Sequence, residues 1–169
     1  MTGKQKKEAV DIFGKIKLSN SIDYVGAWYF KSCELLYGTN IKVALVSTNS
    51  ITQGEQVAPL WGTLFEKYGI HIDFAYRTFR WDSEASLKAH VHCVIVGFSA
   101  SFSSKDKIIY ADDRPQIAQN INAYLLDAPN VFITSRGKPI YAVPNMTKGN
   151  QPTDGGNFIL SEEERRELI

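Results

Sequence analysis

Arg77, Thr78, Phe79, Arg80 and Trp81 stand together in the middle of the chain, two aromatic side chains interleaved with two cations. Aromatic faces stack on flat partners and guanidinium groups pair with anions, so this pentad is a surface suited to something flat and anionic. A second cluster, Thr48, Asn49 and Ser50, follows directly on the apolar run from Ile41 to Ser47. Small polar residues at the carboxyl end of such a strand sit where open α/β sheets place their ligands. They could equally cap the next helix, since Thr52 and Glu55 have capping-box spacing. The third cluster is His90 and His92, two apart and therefore on one face of a strand, with His71 the sole further histidine. No carboxylate falls clearly on that face, so packed or solvated histidines are preferred to a metal site, and no metal is expected.

The elements that must position these residues follow from periodicity. From Ile70 to Phe98 both ends alternate with period two (Ile70, Ile72, Phe74; then Val91, Cys93, Ile95 against Val94, Val96, Phe98), while Asp82 to Lys88 is mostly polar. That predicts two strands joined by a loop of about ten residues, longer than a plain hairpin uses, with Arg77 to Trp81 at the start of the loop. The run IKVALVSTNS, rich in branched residues, fits a strand buried on both faces of a parallel sheet. Between the two lies a predicted helix from Gln53 to Tyr68, with Val57, Leu60, Leu64 and Phe65 on one face and Gly69 stopping it; Pro59 marks a kink or the true first turn. Ahead of them, Ile22 to Gly38 has helical spacing, with Ser19 to Ser21 available as caps. Trp28, Tyr29 and Phe30 make that helix apolar almost all round, which predicts a sandwiched position.

Composition narrows the class without deciding it. A chain of 169 residues with 44% hydrophobic and 22% charged residues is ordinary globular material with room for one sizeable core. Nineteen Lys and Arg against eighteen Asp and Glu leave a net charge of +1, so any case for nucleic acid must be local. Two such places exist. The first segment carries Lys4, Lys6, Lys7, Lys15 and Lys17, for which a solvated helix face is preferred to phosphate contact, and Pro129 to Pro152 holds Arg136, Lys138 and Lys148 with no acid. Cys33 and Cys93 form no CxxC pair, no apolar run approaches the roughly 18 residues of a membrane span, and the N-terminus is too polar for a secretion signal. The expected location is cytoplasmic, with no membrane partner.

Beyond the strand pair, Ser99 to Ser104 is a Ser-rich break and the expected domain boundary, dividing residues 1–100 from 101–169. Lys107 to Tyr110 is a predicted strand, and Arg114 to Leu126 carries Ile117, Ile121 and Leu125 at helical spacing. Pro129 to Pro152 is loop-rich, and Ser161 to Glu164 fits a capping box opening a charged terminal helix.

Common catalytic signatures are missing: no GxGxxG after a strand, no GxxxxGK[ST], no GxSxG and no HExxH. Four segments nevertheless carry a resemblance: DYVGAWYFKSCELL; IKVALVSTNSITQGEQVAPLW; IHIDFAYRTFRWDSEASLKAHVHCVIVGF; and INAYLLDAPNVFITSRGKPIYAVPNMTKGNQPTDGGNFILSEEE. In order and content they resemble the DNA adenine-N6 methyltransferase region of the large single-chain, type IIL-like restriction-modification enzymes, from Asp23 onward. The strings TNSITQGEQV and DAPNVFI…PNMTKGN…DGGN are the specific part.

The resemblance implies an α/β fold. It would be the distal half of a Rossmann-like class I methyltransferase sheet (parallel strand, helix, antiparallel strand pair), followed by the start of a mixed, loop-rich target-recognition domain. The family's Asn-Pro-Pro-aromatic motif and Gly-rich cofactor turn do not occur in this sequence. The expectation is therefore a fragment, or the product of a split or truncated gene, inactive alone. S-adenosylmethionine would be the cofactor of the complete enzyme and would not bind this chain by itself. The resemblance makes Asp23 and Tyr24 part of the segment that closes over the cofactor. Thr48, Asn49 and Ser50 would border the pocket for a flipped base, and Phe79 would stack on that base, with Trp81 as competitor. For Phe79 the alternative is core packing at a strand end. Arg136, Lys138 and Lys148, with Arg77 and Arg80 nearer the pocket, would contact double-stranded DNA. The expected partners are that DNA, the missing N-terminal half of the domain, and a second copy joined through the strand near Ile41 to Ser47. A non-catalytic DNA-binding or subunit-interaction module is the alternative.

Overall fold

The computed structural model describes residues 1–14, 21–82, 90–101, 106–112, 114–134, 136, 138, 140–144 and 159–168. They form helices α1 (Gly3–Phe13), α2 (Val25–Leu36), α3 (Val57–Tyr68) and α4 (Glu162–Glu167), and strands β1 (Lys42–Thr48), β2 (His71–Asp82), β3 (His90–Ser99), β4 (Lys107–Ala111) and β5 (Arg114–Ala118). The chain divides into two compact units, Met1–Ser135 and Arg136–Ile169.

The first unit is built on one mixed five-stranded sheet in the order β1-β3-β2-β4-β5. β3 lies between β1 and β2 and runs antiparallel to both, whereas β4 joins β2 in parallel and β5 returns antiparallel. Helices α2 and α3 pack on the face formed by Val43 and Leu45 of β1, Val94, Val96 and Phe98 of β3, and Ile72 and Ala75 of β2. At its centre the rings of Tyr29 and Trp61 meet Phe98 at 5.6 and 6.4 Å between centroids, all three fully buried. Such aromatic contacts add to the area they bury, so the α2–α3 layer is anchored to the middle strand. α3 ends where Gly69 turns left-handed at φ 61°, and Pro59 stands harmlessly in its first turn.

Several expectations need correction. β1 is not buried on both faces: its burial alternates, Val46 is 54% exposed, and its partner β3 is antiparallel. Among the described residues no layer covers that outer face. Arg77 to Trp81 belong to β2 and are not the start of a loop. The alternation along β2 is broken by bulges between Ile72 and Phe74 and between Tyr76 and Phe79, each of which shifts the register. The predicted helix from Arg114 to Leu126 is β5 followed by a turn. Trp28 is 63% exposed, so α2 is buried on one side only. No Thr52–Glu55 capping box forms, because the residue ahead of α3 is Gln56 and its side chain bonds elsewhere. β4 continues the sheet of the first unit beyond Ser101.

In the second unit α4 opens with the predicted capping box: the Glu164 backbone N–H donates to Ser161 Oγ, and the Ser161 N–H donates to Glu164 Oε2 at 2.8 Å. Lys148 lies outside the described residues.

Candidate functional site: a pinned polar turn beside an aromatic row

The 3-10 turn Asn49–Thr52 leaves the carboxyl end of β1 and is held from several sides. The indole of fully buried Trp61 donates to the Ile51 carbonyl at 2.8 Å, and Thr52 Oγ1 donates to the Asn49 carbonyl at 3.1 Å. Gln56 Nε2 donates to the Ser50 carbonyl at 2.8 Å, and the hydroxyls of Thr48 and Ser50 meet at 2.9 Å. Thr78 of β2 donates to Asn49 Oδ1 at 2.9 Å, tying the turn across the sheet end. A turn whose carbonyls are satisfied this way presents its remaining polar groups in fixed directions.

Sheet register brings two of the expected pocket residues onto one face. Thr48 pairs with Cys93 and Cys93 with Phe79, so Thr48, Cys93 and Phe79 form one row on the face opposite α2 and α3. The ring of Trp81 stands 6.4 Å from that of Phe79, which in turn meets Tyr76 edge-on at 6.4 Å. Tyr76 stacks on Tyr110 of β4 at 4.7 Å, extending the aromatic face to the next strand. Phe79 is half-buried and Trp81 exposed, so the row is open rather than sunk in the core. Arg80 pairs with His92 and therefore leaves the sheet on the other side from Phe79 and Trp81. The sequence's interleaving of Phe79, Arg80 and Trp81 thus becomes a segregation onto opposite faces.

Asp23 and Tyr24 precede α2. Gln56 joins them to the turn: its Oε1 accepts from the Asp23 backbone N–H at 3.0 Å and its Nε2 donates to Asp23 Oδ2 at 3.0 Å. The Tyr24 hydroxyl donates to Glu8 of α1 at 2.8 Å, and that bond, more than burial or the Glu8 charge, raises the Tyr24 pKa.

A further segment reaches the site from residues 119–130. Asn122 Oδ1 accepts from the N–H groups of Tyr124 and Leu126 at 3.0 and 3.1 Å, and Asp127 Oδ1 accepts from those of Gln119 and Asn120. This holds Leu125 at φ 57°, a left-handed conformation rare for a branched side chain. Tyr124 and Leu125 then line a small cavity of about 60 Å³ with Asn49, Gln53, Arg77 and Thr78. A cavity of about 660 Å³ lies elsewhere, among Phe13, Phe30, Pro59, Lys67 and Phe132, and contains none of the candidate site residues.

Arg77 is exposed at the small cavity; in the second unit Arg136 and Lys138 are exposed. His71 pairs with Ser99 at one end of the β2–β3 ladder, whereas His92 pairs with Arg80 near the other, so these two histidines do not converge. Burial holds the His71 imidazole below its ordinary pKa, with Asp73 at 3.2 Å pulling against it. Gln56 and Asn122 escaped sequence reading. Both are polar residues that become buried, and nothing in residue type marks which amides will fold inward. The TQGEQV string that carries the resemblance was the one available signal for Gln56.

The fold and site define a mixed α/β domain that gathers a polar turn and an open aromatic row at one end of its sheet. The chain belongs to the MmeI family: the model of the MmeI DNA-methyltransferase domain matches residues 1–111, and that of the MmeI target recognition domain matches residues 127–169. It is 42% identical over 164 residues to DNA methyltransferase A of Bacillus subtilis (strain 168), covering 97% of this chain and 18% of that protein. It also superposes, with a TM-score of 0.91 and 45% identity over its whole length, on 23% of a solved chain of the type IIL restriction-modification enzyme MmeI in complex with DNA. The chain thus spans less than a quarter of either relative.

Proposed function

We propose that this chain is the distal part of a DNA adenine-N6 methyltransferase domain, with the entry to its target-recognition domain, and that it works in the cytoplasm on double-stranded DNA. In this reading its sheet is the far half of a Rossmann-like class I methyltransferase sheet. The observation that carries the proposal is the Thr48–Cys93–Phe79 row beside the pinned turn, at the carboxyl end of β1, in a chain that matches the two family domains in order. Open α/β sheets bind their ligands at that end. A base drawn out of a duplex needs an aromatic face and hydrogen-bonding groups at its edge, which Phe79, or Trp81 beside it, and Thr48, Asn49 and Ser50 would supply.

S-adenosylmethionine would supply the methyl group. The residues present fit one side of its site: Asp23 is exposed, with Oδ2 held by Gln56, so the carboxylate is oriented as an acceptor, and Tyr24 is fixed by Glu8. The close backbone approach of a Gly-rich turn and the Asn-Pro-Pro-aromatic motif are not in this sequence and would come from the other half of the domain. Arg136, Lys138 and Lys148 would neutralise phosphates, with Arg77 contributing beside Asn49 and Thr78 and Arg80 from the opposite face of the sheet.

Reconstitution tests the proposal. The chain alone should neither bind S-adenosylmethionine by calorimetry nor methylate DNA. Mixed with a polypeptide carrying the missing motifs, it should methylate adenine, and Phe79→Ala should lower kcat by about a hundredfold or more if stacking holds the base. Micromolar cofactor binding by the chain alone would sink the division of labour. Retained DNA binding without any reconstituted methylation would favour the non-catalytic module.

A further inference from the structure

We infer that the carboxamide of Gln56 is a positioning group, a latch that sets the direction of the Asp23 carboxylate and ties it to the Ser50 turn. Gln56 is buried, and its side chain spends both ends on residues distant in sequence. Oε1 accepts from the Asp23 N–H at 3.0 Å, while Nε2 donates to Asp23 Oδ2 at 3.0 Å and to the Ser50 carbonyl at 2.8 Å. Only one orientation of the amide works. Flipped, Nε2 would face the Asp23 N–H, and Oε1 would face two acceptors.

The position of Gln56 makes the choice informative. It stands immediately ahead of α3, where a polar side chain commonly caps the helix, yet it makes no cap bond there. Its hydrogen bonds instead link the stretch before α2 to the turn after β1, two segments that the helices would otherwise place independently. Asp23 presents a carboxylate to solvent whose Oδ2 is pinned, so any ligand group meeting it finds an acceptor already aimed. For function the latch rests on the reading of Asp23 as part of the cofactor-side segment. Movement at Asp23 is then felt at Ser50, which couples the cofactor side to the base side.

The test uses the whole chain and a pH profile. Gln56→Glu keeps the shape and the acceptor for the Asp23 N–H, removes both donors, and sets a carboxylate against a carboxylate. The charged group in contact is Asp23, with exposed Glu55 adjacent in sequence and the Tyr24–Glu8 pair beyond it on α1. Two carboxyls so placed share a proton as pH falls, which returns one donor to the latch. The amide resonances of both Asp23 and Ile51, the latter following the Ser50 carbonyl, should therefore be displaced at pH 8 in Gln56→Glu and return toward wild-type positions by about pH 5. In Gln56→Met both should stay displaced at every pH. Displacement at one site only, or a displacement in Gln56→Glu that ignores pH, overturns the latch. In the reconstituted methyltransferase, Gln56→Glu should weaken S-adenosylmethionine binding by about tenfold at pH 8 and less at pH 5, the size of one lost charge-assisted hydrogen bond. Asp23→Asn separates the two ideas. If Asp23→Asn leaves cofactor affinity unchanged, the cofactor-side reading fails. If it weakens affinity while Gln56→Glu does not, the positioning role of Gln56 fails.

Discussion

The Tyr29 hydroxyl and the Ser47 hydroxyl meet at 2.8 Å inside the core, joining α2 to β1 at a point where neither reaches water. Each satisfies the other, and the described residues hold no buried side-chain polar atom without a partner. Tyr29→Phe keeps the ring contacts with Trp61 and Phe98 but strands Ser47, so chemical denaturation should show a loss of about 1–3 kcal/mol. The double variant Tyr29→Phe with Ser47→Ala should recover much of that, because both polar partners are then gone.

Alkaline stability follows from the same buried layer. Burial pushes the Tyr29 phenol from 10.0 up to about 12, against a lowering hydrogen bond from Ser47, and pushes the Cys33 thiol from 9.0 up to about 12. Both groups keep their protons in the folded state while the unfolded chain sheds them. Their contribution is thus complete below the unfolded values and is lost as pH rises from 9.0 toward about 12. Unfolding free energies measured from pH 8 upward should fall. In Cys33→Ala the fall should begin about one pH unit later, since Tyr29 then starts it. A flat profile would contradict the burial of both groups.

Gly97 sits under the ring of Phe74, its cross-strand neighbour on the outer face of the sheet. A Cβ there would overlap the Phe74 ring, so Gly97→Ala must drive that ring off the strand. The expected cost is about 1–3 kcal/mol, the range for overpacking. Pairing the change with Phe74→Ala should remove most of that clash. Equal losses with and without Phe74 would show that the strain lies in the backbone.

DNA binding is expected to be weak and salt-sensitive, carried mainly by Arg136, Lys138 and Lys148, with Arg77 and Arg80 contributing. Removing the charge at each phosphate contact should flatten the slope of log K against log salt by about one unit. Neutralising all three loop cations without changing affinity or slope would mean that the loop is not the DNA surface.

Among the described residues β1 is the last strand of the sheet on its side; Val46 on it and Ile41 just ahead of it are exposed. An edge with unpaired backbone groups and apolar side chains recruits another strand. The isolated chain should therefore self-associate, with light scattering rising with concentration, and a Val46→Lys substitution should reverse it. A monomer at every concentration would refute this.

What the sequence disclosed was whatever burial writes into periodicity. Val94, Val96 and Phe98 against Ile72 fall on one face as the alternation predicts, and α3 stops at Gly69 as expected. The pentad from Arg77 was misplaced because the bulge before Phe79 breaks the period that marks a strand. β5 reads as a helix in sequence because Ile117, Ile121 and Leu125 lie four apart. In the fold Ile117 is exposed on an edge strand, and Leu125 is buried by a turn that Asn122 ties. The row of Thr48 and Phe79 needed the register of a third strand, which no local pattern records.

The place of β3 has a consequence for how the protein is made. It is the last of the first three strands to leave a ribosome, yet in the sheet it lies between β1 and β2 and pairs with both. Until His90–Ser99 emerges, two apolar strands and their helices are present without the element that joins them, and the pairing must wait for distant sequence. Translation stalled just short of this strand would therefore expose the most adhesive nascent intermediate of the first unit, the one on which chaperones would act.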